Sequence, residues 1–459
     1  MWFISWISSQ VGTSEESVQL MVCLVVSYVI SVVYNTAVLG AGVTAKSVKL
    51  LYYLVSGVAL VYTYCGHHVI HSMAVCLLCY AMIRWCPIRA ALVVNMTVPL
   101  VYLLVGCYAT QIGSIYTIGW TLPQCVLTLR LIAITFDVFD GRRNDAIANK
   151  LKDSDKQQDT EPVLINADTA VLRMPTLLEF LSHCYFPSTI LVGPLISYRK
   201  YQSYIESNES RLSDCWQLAA GRLSLGLLYL GFYVLGTHYW PQEYLLSDHF
   251  MASSFWWKVT AIAVVCKVGM TKYLATWLIA EGSCMVSGVS WTGQHYYGCA
   301  NVHIWHFETT ATFNGVIKSF NLTTNNFAAI YLFKRLKFLG NRTVSQALTL
   351  LFLAVWHGMC SGYFVTFLLE FMIIKMESEV LAKVAKRRQR WPLLDRLLDT
   401  LAVKALVFAV FRVYTIYLLG YSFMPFMHLQ YPQWFDIYRE VYFYGHVITI
   451  AWLFVAPFV

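Results

Sequence analysis

The chain has 459 residues, of which 58% are hydrophobic and 13% charged, with a formal net charge of +8 at neutral pH. Ordinary soluble domains carry about 25% charged residues, so this composition excludes a conventional water-soluble enzyme. It places the chain among membrane proteins, with the lipid bilayer as its main partner and no nucleic acid expected.

In chain order, uncharged stretches run over residues 18–45, 51–83, 90–129, 224–242, 413–435 and 441–459. A membrane helix needs roughly 20 apolar residues. The stretches 51–83 and 90–129 are therefore long enough for two spans each, broken near Gly66-His67-His68 and Thr110-Gln111-Ile112-Gly113. With weaker segments near 185–194 and 255–280, the count reaches roughly ten to eleven membrane elements. The predicted fold class is an all-α polytopic membrane protein. The first apolar stretch exceeds the apolar core of a secretory leader and is read as a retained helix.

The cations cluster: Arg142, Arg143, Lys150, Lys152 and Lys156; Lys334, Arg335, Lys337 and Arg342; Lys383, Lys386, Arg387, Arg388, Arg390 and Arg396. By the positive-inside rule these are expected in cytosolic loops. Residues 141–170, rich in polar side chains, read as a mobile cytosolic loop within a single domain covering 1–459. Thirteen cysteines, an odd number mostly inside apolar runs, argue against a complete disulfide framework. Cys76-x-x-Cys79 has no second pair, and His67 and His71, four apart, lack the acid of a helical zinc motif, so no metal is expected. Glu281 reads as a structural partner for Lys267 or Lys272. Residues 282–326 mix aromatic and polar side chains without a spanning run, which fits either a loop or a partly re-entrant element.

Between 344 and 369 lie 26 residues without Asp, Glu, Lys or Arg, and His357 is their only imidazole. As one helix they would extend about 39 Å. An ionisable ring in such a span costs free energy and makes a functional reading the default. Asn321, 36 positions earlier (357 − 321), precedes a basic segment. Taken singly, such a histidine reads equally as a packed core residue, and such an asparagine as a turn or cap residue.

Three blocks carry a resemblance: Ser-Phe-Asn at 319–321, Phe-Lys-Arg-Leu-Lys-Phe-Leu-Gly at 333–340, and Leu-Phe-Leu-Ala-Val-Trp-His-Gly at 351–358. With Trp120-Thr121-Leu122-Pro123-Gln124, Phe136-Asp137-Val138-Phe139-Asp140-Gly141 and Leu191-Val192-Gly193-Pro194, they resemble the membrane-bound O-acyltransferase family, in particular its lysophospholipid-acylating branch. Phe327 departs from the pattern, standing where relatives often carry tryptophan, and the last residues lack the lysine-rich tail found in members retained in the endoplasmic reticulum.

The resemblance implies a helix bundle around a catalytic chamber and an endoplasmic reticulum membrane location. It further implies acyl transfer from acyl-CoA to the free sn-2 hydroxyl of lysophosphatidylcholine, and by extension of its ethanolamine and serine counterparts. In that reading His357 is the general base, kept neutral by desolvation, and Asn321 orients it or stabilises an oxyanion. Lys334, Arg335, Lys337 and Arg342 would meet the CoA phosphates, and Trp305, Tyr331 and Trp356 would line the acyl or headgroup cavity. No cofactor is implied, acyl-CoA being a substrate, and a homodimer stays open. The alternatives are a family member acting on lysophosphatidylinositol, a sterol, diacylglycerol or a protein, or a transporter, which would favour inverted repeats and intramembrane acids.

Overall fold

The computed structural model describes residues 2–112, 119–153 and 165–458, and is helical throughout, with one isolated β-bridge. Its α-helices are α1 Trp2–Val11, α2 Glu15–Val33, α3 Lys46–Cys65, α4 His68–Trp85, α5 Ile88–Ile112, α6 Thr121–Asp153 and α7 Leu177–Cys184. There follow α8 Pro187–Ile190, α9 Tyr198–Glu206, α10 Leu212–Tyr239, α11 Asp248–Ala252, α12 Phe255–Ser287, α13 Ile304–Thr309, α14 Phe313–Ser319 and α15 Leu322–Phe327. The chain closes with α16 Arg342–His357, α17 Ser361–Arg390, α18 Pro392–Asp399, α19 Leu401–Met427, α20 Gln433–Glu440 and α21 Tyr444–Val455.

Among the described residues, eight helices are long and apolar enough to cross a membrane, and the pair α20–α21, bent by 73°, makes a ninth if taken as one span. The all-helical polytopic class follows as expected, and so does the break between α3 and α4 at Gly66-His67. The count is lower than the ten to eleven expected. Residues 344–369 are not one helix, and residues 185–194 form only the four-residue α8. The basic clusters also sit differently. Arg142 and Arg143 lie on α6, which continues to Asp153 through the first part of the expected loop, and the third cluster rides largely on α17. Residues 154–164, the centre of that loop, fall outside the described residues.

By its internal packing the chain divides into two compact units. The first comprises Met1–Leu227, Ala275–Asn301 and Thr323–Arg335. At its centre α6 presents Leu127, Leu131, Ile134 and Val138, spaced for one helix face, to Cys76, Cys79, Ile83, Phe180 and Cys184, all buried. Arg130, on the same helix and fully buried, donates to the carbonyls of His183 and Cys184, both at 2.7 Å, and to the Thr189 hydroxyl at 2.7 Å. That contact ties α6 to the end of α7. The start of α7 is closed by a capping box: the Thr176 hydroxyl accepts the Glu179 N–H while Glu179 accepts the Thr176 N–H. Burial alone would raise the Glu179 carboxyl, but Lys46 at 2.7 Å and the Thr176 donors outweigh it and hold it down at about 2.

The second unit comprises Leu228–Leu274, Val302–Leu322 and Leu336–Val459. Here α16 and α17 pack side by side, and α17 also packs on α14, α19 and α21. Close approach is built in at Gly362, where a Cβ would lie 2.1 Å from the Pro425 carbonyl oxygen.

A comparable close approach in the first unit is directly testable. A Cβ on Gly57 of α3 would lie 1.7 Å from the Tyr185 carbonyl oxygen. Gly57→Ala must push α3 away from the end of α7, at a cost of about 1–3 kcal/mol. We expect a clear fall in the melting temperature of the purified protein in detergent, and an unchanged melting temperature would contradict this packing.

Candidate functional site

His357 is the last residue of α16, not the midpoint of a long span. The helix stops because Gly358 takes φ +135°, a backbone conformation that disfavours any side chain, and α17 begins three residues later. The turn between them is pinned from the far side of α19. The Gly362 N–H donates to the Leu429 carbonyl at 3.0 Å, and the Trp434 indole N–H donates to the Ser361 hydroxyl at 2.9 Å. The charge-free run of the sequence is thus a helical hairpin with its histidine at the bend.

The imidazole is partly buried in an aromatic cage. Ring centroids of Trp356, Phe426, Tyr363 and Phe367 lie 4.5, 5.0, 5.4 and 5.4 Å away, with Phe367 stacked on it. Among the described residues neither ring nitrogen has a hydrogen-bond partner. The cage therefore holds the ring by shape rather than by a hydrogen bond to either nitrogen.

Asn321 joins α14 to α15 and has φ +52°, the left-handed region that asparagine tolerates better than most residues. Its neighbour Phe320 forms a bridge with Val302, and the His303 N–H donates to the Ser319 carbonyl at 2.9 Å. Both Asn321 and His357 belong to the second unit.

The segment leading to Asn321 is tied down by long helices. From α19, the Arg412 guanidinium donates to the carbonyls of Thr310 (2.7 Å) and Glu308 (2.5 Å), and the Thr415 hydroxyl donates to the Ala311 carbonyl at 2.8 Å. From α17, Glu377 accepts the N–H groups of Phe313 and Asn314. The sequence reading missed Arg412 and Glu377. The signal available was an ionisable residue inside a mainly apolar helix. Lys267 of α12 meets Glu308 at 2.8 Å, so it is not the partner of Glu281, which faces Arg222 at 3.5 Å and accepts the Asn301 N–H at 2.6 Å. No group of three or more possible metal ligands occurs among the described residues.

The other expected site residues separate into committed and free groups. Arg335 donates to both oxygens of buried Asp140 and stacks over Phe136 at 4.6 Å, while the Tyr331 hydroxyl donates to Asp137 at 2.8 Å. Both residues are engaged in the first unit. Lys334, Lys337 and Arg342 are exposed and meet no partner among the described residues. Trp305 is 81% exposed, whereas Trp356 is buried against His357.

A multi-pass helical membrane protein with an uncommitted histidine at an internal helix bend is the class these observations define. A family model for "MBOAT, membrane-bound O-acyltransferase family" matches residues 105–427, and the chain belongs to that family. Among curated proteins it is 33% identical to lysophospholipid acyltransferase 5 of Bos taurus, over 99% of this chain and 91% of that protein. It is 32% identical to the Homo sapiens protein of the same name over the same shares, and 30% identical to that of Drosophila melanogaster over 97% and 88%.

Removing Arg335 would leave the Asp140 carboxylate, whose side chain is inaccessible to solvent, without its cation and with only the Asn166 amide as donor among the described residues. Breaking a buried pair in this way costs about 3–5 kcal/mol. Arg335→Ala should therefore lower the melting temperature substantially, while Lys334→Ala should leave it within error. Equal melting temperatures would show that Arg335 is not a structural residue.

Proposed function

We propose that the protein is an acyl-CoA-dependent lysophospholipid acyltransferase that transfers a fatty acyl group to the free sn-2 hydroxyl of lysophosphatidylcholine, and also of lysophosphatidylethanolamine and lysophosphatidylserine. The observation that carries this reading is the caged, unpartnered imidazole of His357 in a chain of this family. Similarity to proteins named lysophospholipid acyltransferase 5 over nearly the whole chain supports the acceptor class.

In the proposed reaction a nitrogen of His357 takes the proton of the acceptor hydroxyl as its oxygen attacks the thioester carbonyl of acyl-CoA. The tetrahedral intermediate collapses with cleavage of the C–S bond, and the imidazolium returns its proton to the departing thiolate. The position at the end of α16 suits this role, since the partial negative charge of a helix C-terminus favours the imidazolium as it forms. Asn321 would orient the base or donate to the oxyanion. Positioned proton transfer is worth about 10²–10⁴ in rate, and one oxyanion donor about 10²–10³. Lys334, Lys337 and Arg342, all exposed, would draw the CoA phosphates. By the positive-inside rule that side would face the cytosol, in the endoplasmic reticulum membrane.

The test is thiol release and diacyl product formation by the purified protein, given a long-chain acyl-CoA and each lysophospholipid in turn. His357→Ala and Asn321→Ala, with normal size-exclusion profiles, should lose at least about 100-fold in rate. Full activity in either would overturn its assigned role. Turnover only with a sterol, diacylglycerol or a protein would replace the acceptor. A second measurement addresses the cations: KM for acyl-CoA should rise with ionic strength, and Lys334→Ala/Lys337→Ala/Arg342→Ala should flatten that dependence. An unchanged salt profile would remove them from the acyl-CoA site.

A further inference from the structure

We propose that Glu377 of α17 is a positioning residue for this reaction, holding the segment that carries Asn321 in register with the helical hairpin that carries His357. The inference rests on the catalytic reading of Asn321 and His357 given above.

Glu377 is only 2% exposed, and both of its carboxylate oxygens are used. Oε2 accepts the Phe313 N–H at 2.7 Å and Oε1 the Asn314 N–H at 3.0 Å. These are the first two N–H groups of α14. A local cap is already present, because the Thr312 hydroxyl accepts the Gly315 N–H at 3.1 Å. A buried carboxylate is a costly way to add a second cap. What Glu377 adds is reach: it fixes α14 to a helix whose first residue lies four positions after His357.

Little slack separates that anchor from Asn321. Helix α14 is two turns long, about 10 Å. Its last residue, Ser319, is fully buried, with its hydroxyl on the Gly315 and Val316 carbonyls. The bridge between Phe320 and Val302 then leads into the left-handed turn at Asn321. A shift at Phe313 is carried through a short, hydrogen-bonded rod to the asparagine. Glu377 itself stands 20 positions beyond His357 (377 − 357), about 24 Å of helix from Ser361, so its effect runs through α14.

Glu377→Gln tests this. The amide keeps one acceptor oxygen and turns an N–H₂ toward the second donor, so one of the two anchors is lost. Misplacement of a reacting group by about 1 Å can cost 10²-fold. We expect kcat to fall at least about tenfold with both KM values unchanged, and amide hydrogen exchange to rise over residues 313–322 while the rest of the chain keeps its protection. In an Asn321→Ala background, Glu377→Gln should cost no more than about twofold further, because residues acting as one unit are non-additive.

A wild-type rate, full additivity in the double variant, or unchanged exchange at 313–322 would overturn the proposal. Where the double variant falls below detection, the exchange result alone decides. Should Glu377→Gln not fold, Glu377→Asp keeps the charge, shortens the reach and is put through the same measurements. Asn321→Ala at the wild-type rate would instead overturn the functional reading on which this inference stands.

Discussion

Short helices end too soon to satisfy their own backbone, and in this protein charged side chains from long helices finish them. A helix leaves four N–H groups and four carbonyls unpaired at its ends, and such groups cannot stay unpaired away from water. Arg130 of α6 takes the last carbonyls of α7, and Arg412 of α19 takes those at the end of α13. Glu377 of α17 takes the first N–H groups of α14. Each sign matches the partial charge of the helix end it meets, positive at carbonyls and negative at N–H groups. Irregular backbone in a membrane protein survives only where protein or water supplies such partners.

The same logic extends to charges that face each other between elements of one unit. Lys267 meets Glu308, Arg335 meets Asp140, Arg222 meets Glu281 and Lys258 meets Glu440, each pair within one unit. A desolvated pair contributes little net stability over an apolar pair of the same shape. Its value lies in specifying register, because sliding one helix past another by a turn would separate the charges at several kcal/mol each. Arg130 and Arg412 have no carboxylate partner among the described residues; Arg412 donates to carbonyls, and Arg130 to carbonyls and the Thr189 hydroxyl.

Much of the bundle was legible in the sequence, because long apolar runs identify spanning helices through length alone. Gly66-His67 separated α3 from α4 as read, since Gly66 takes φ +60° at the C-terminus of α3. The failures share one cause. Residues 344–369 carry no charge, so composition reads them as continuous, yet a single glycine at φ +135° divides them. Residues 141–153 look like a loop because they are polar, but they extend α6, and Asn144 pairs with the main chain of Ile165. Hydropathy reports the environment of a segment and is blind to where its backbone turns. The motif blocks singled out His357 and Asn321, whereas the backbone partners of Arg412 and Glu377 appear only in the fold.

The bend at His357 also bears on how the proposed base would work in an apolar setting. In mid-helix the ring would project from a backbone sealed by its own hydrogen bonds, toward neighbouring helices or lipid. At a helix end the chain turns away instead, and His357 stands at such a turn. Aromatic rings on α16, α17 and α19 supply the walls. Phe367 and Phe426 carry no polar atom, and no hydrogen bond reaches the imidazole among the described residues. An aromatic cage also keeps the ring from rotating without fixing which nitrogen carries the proton. A carboxylate accepting the N–H of one nitrogen would instead fix the tautomer.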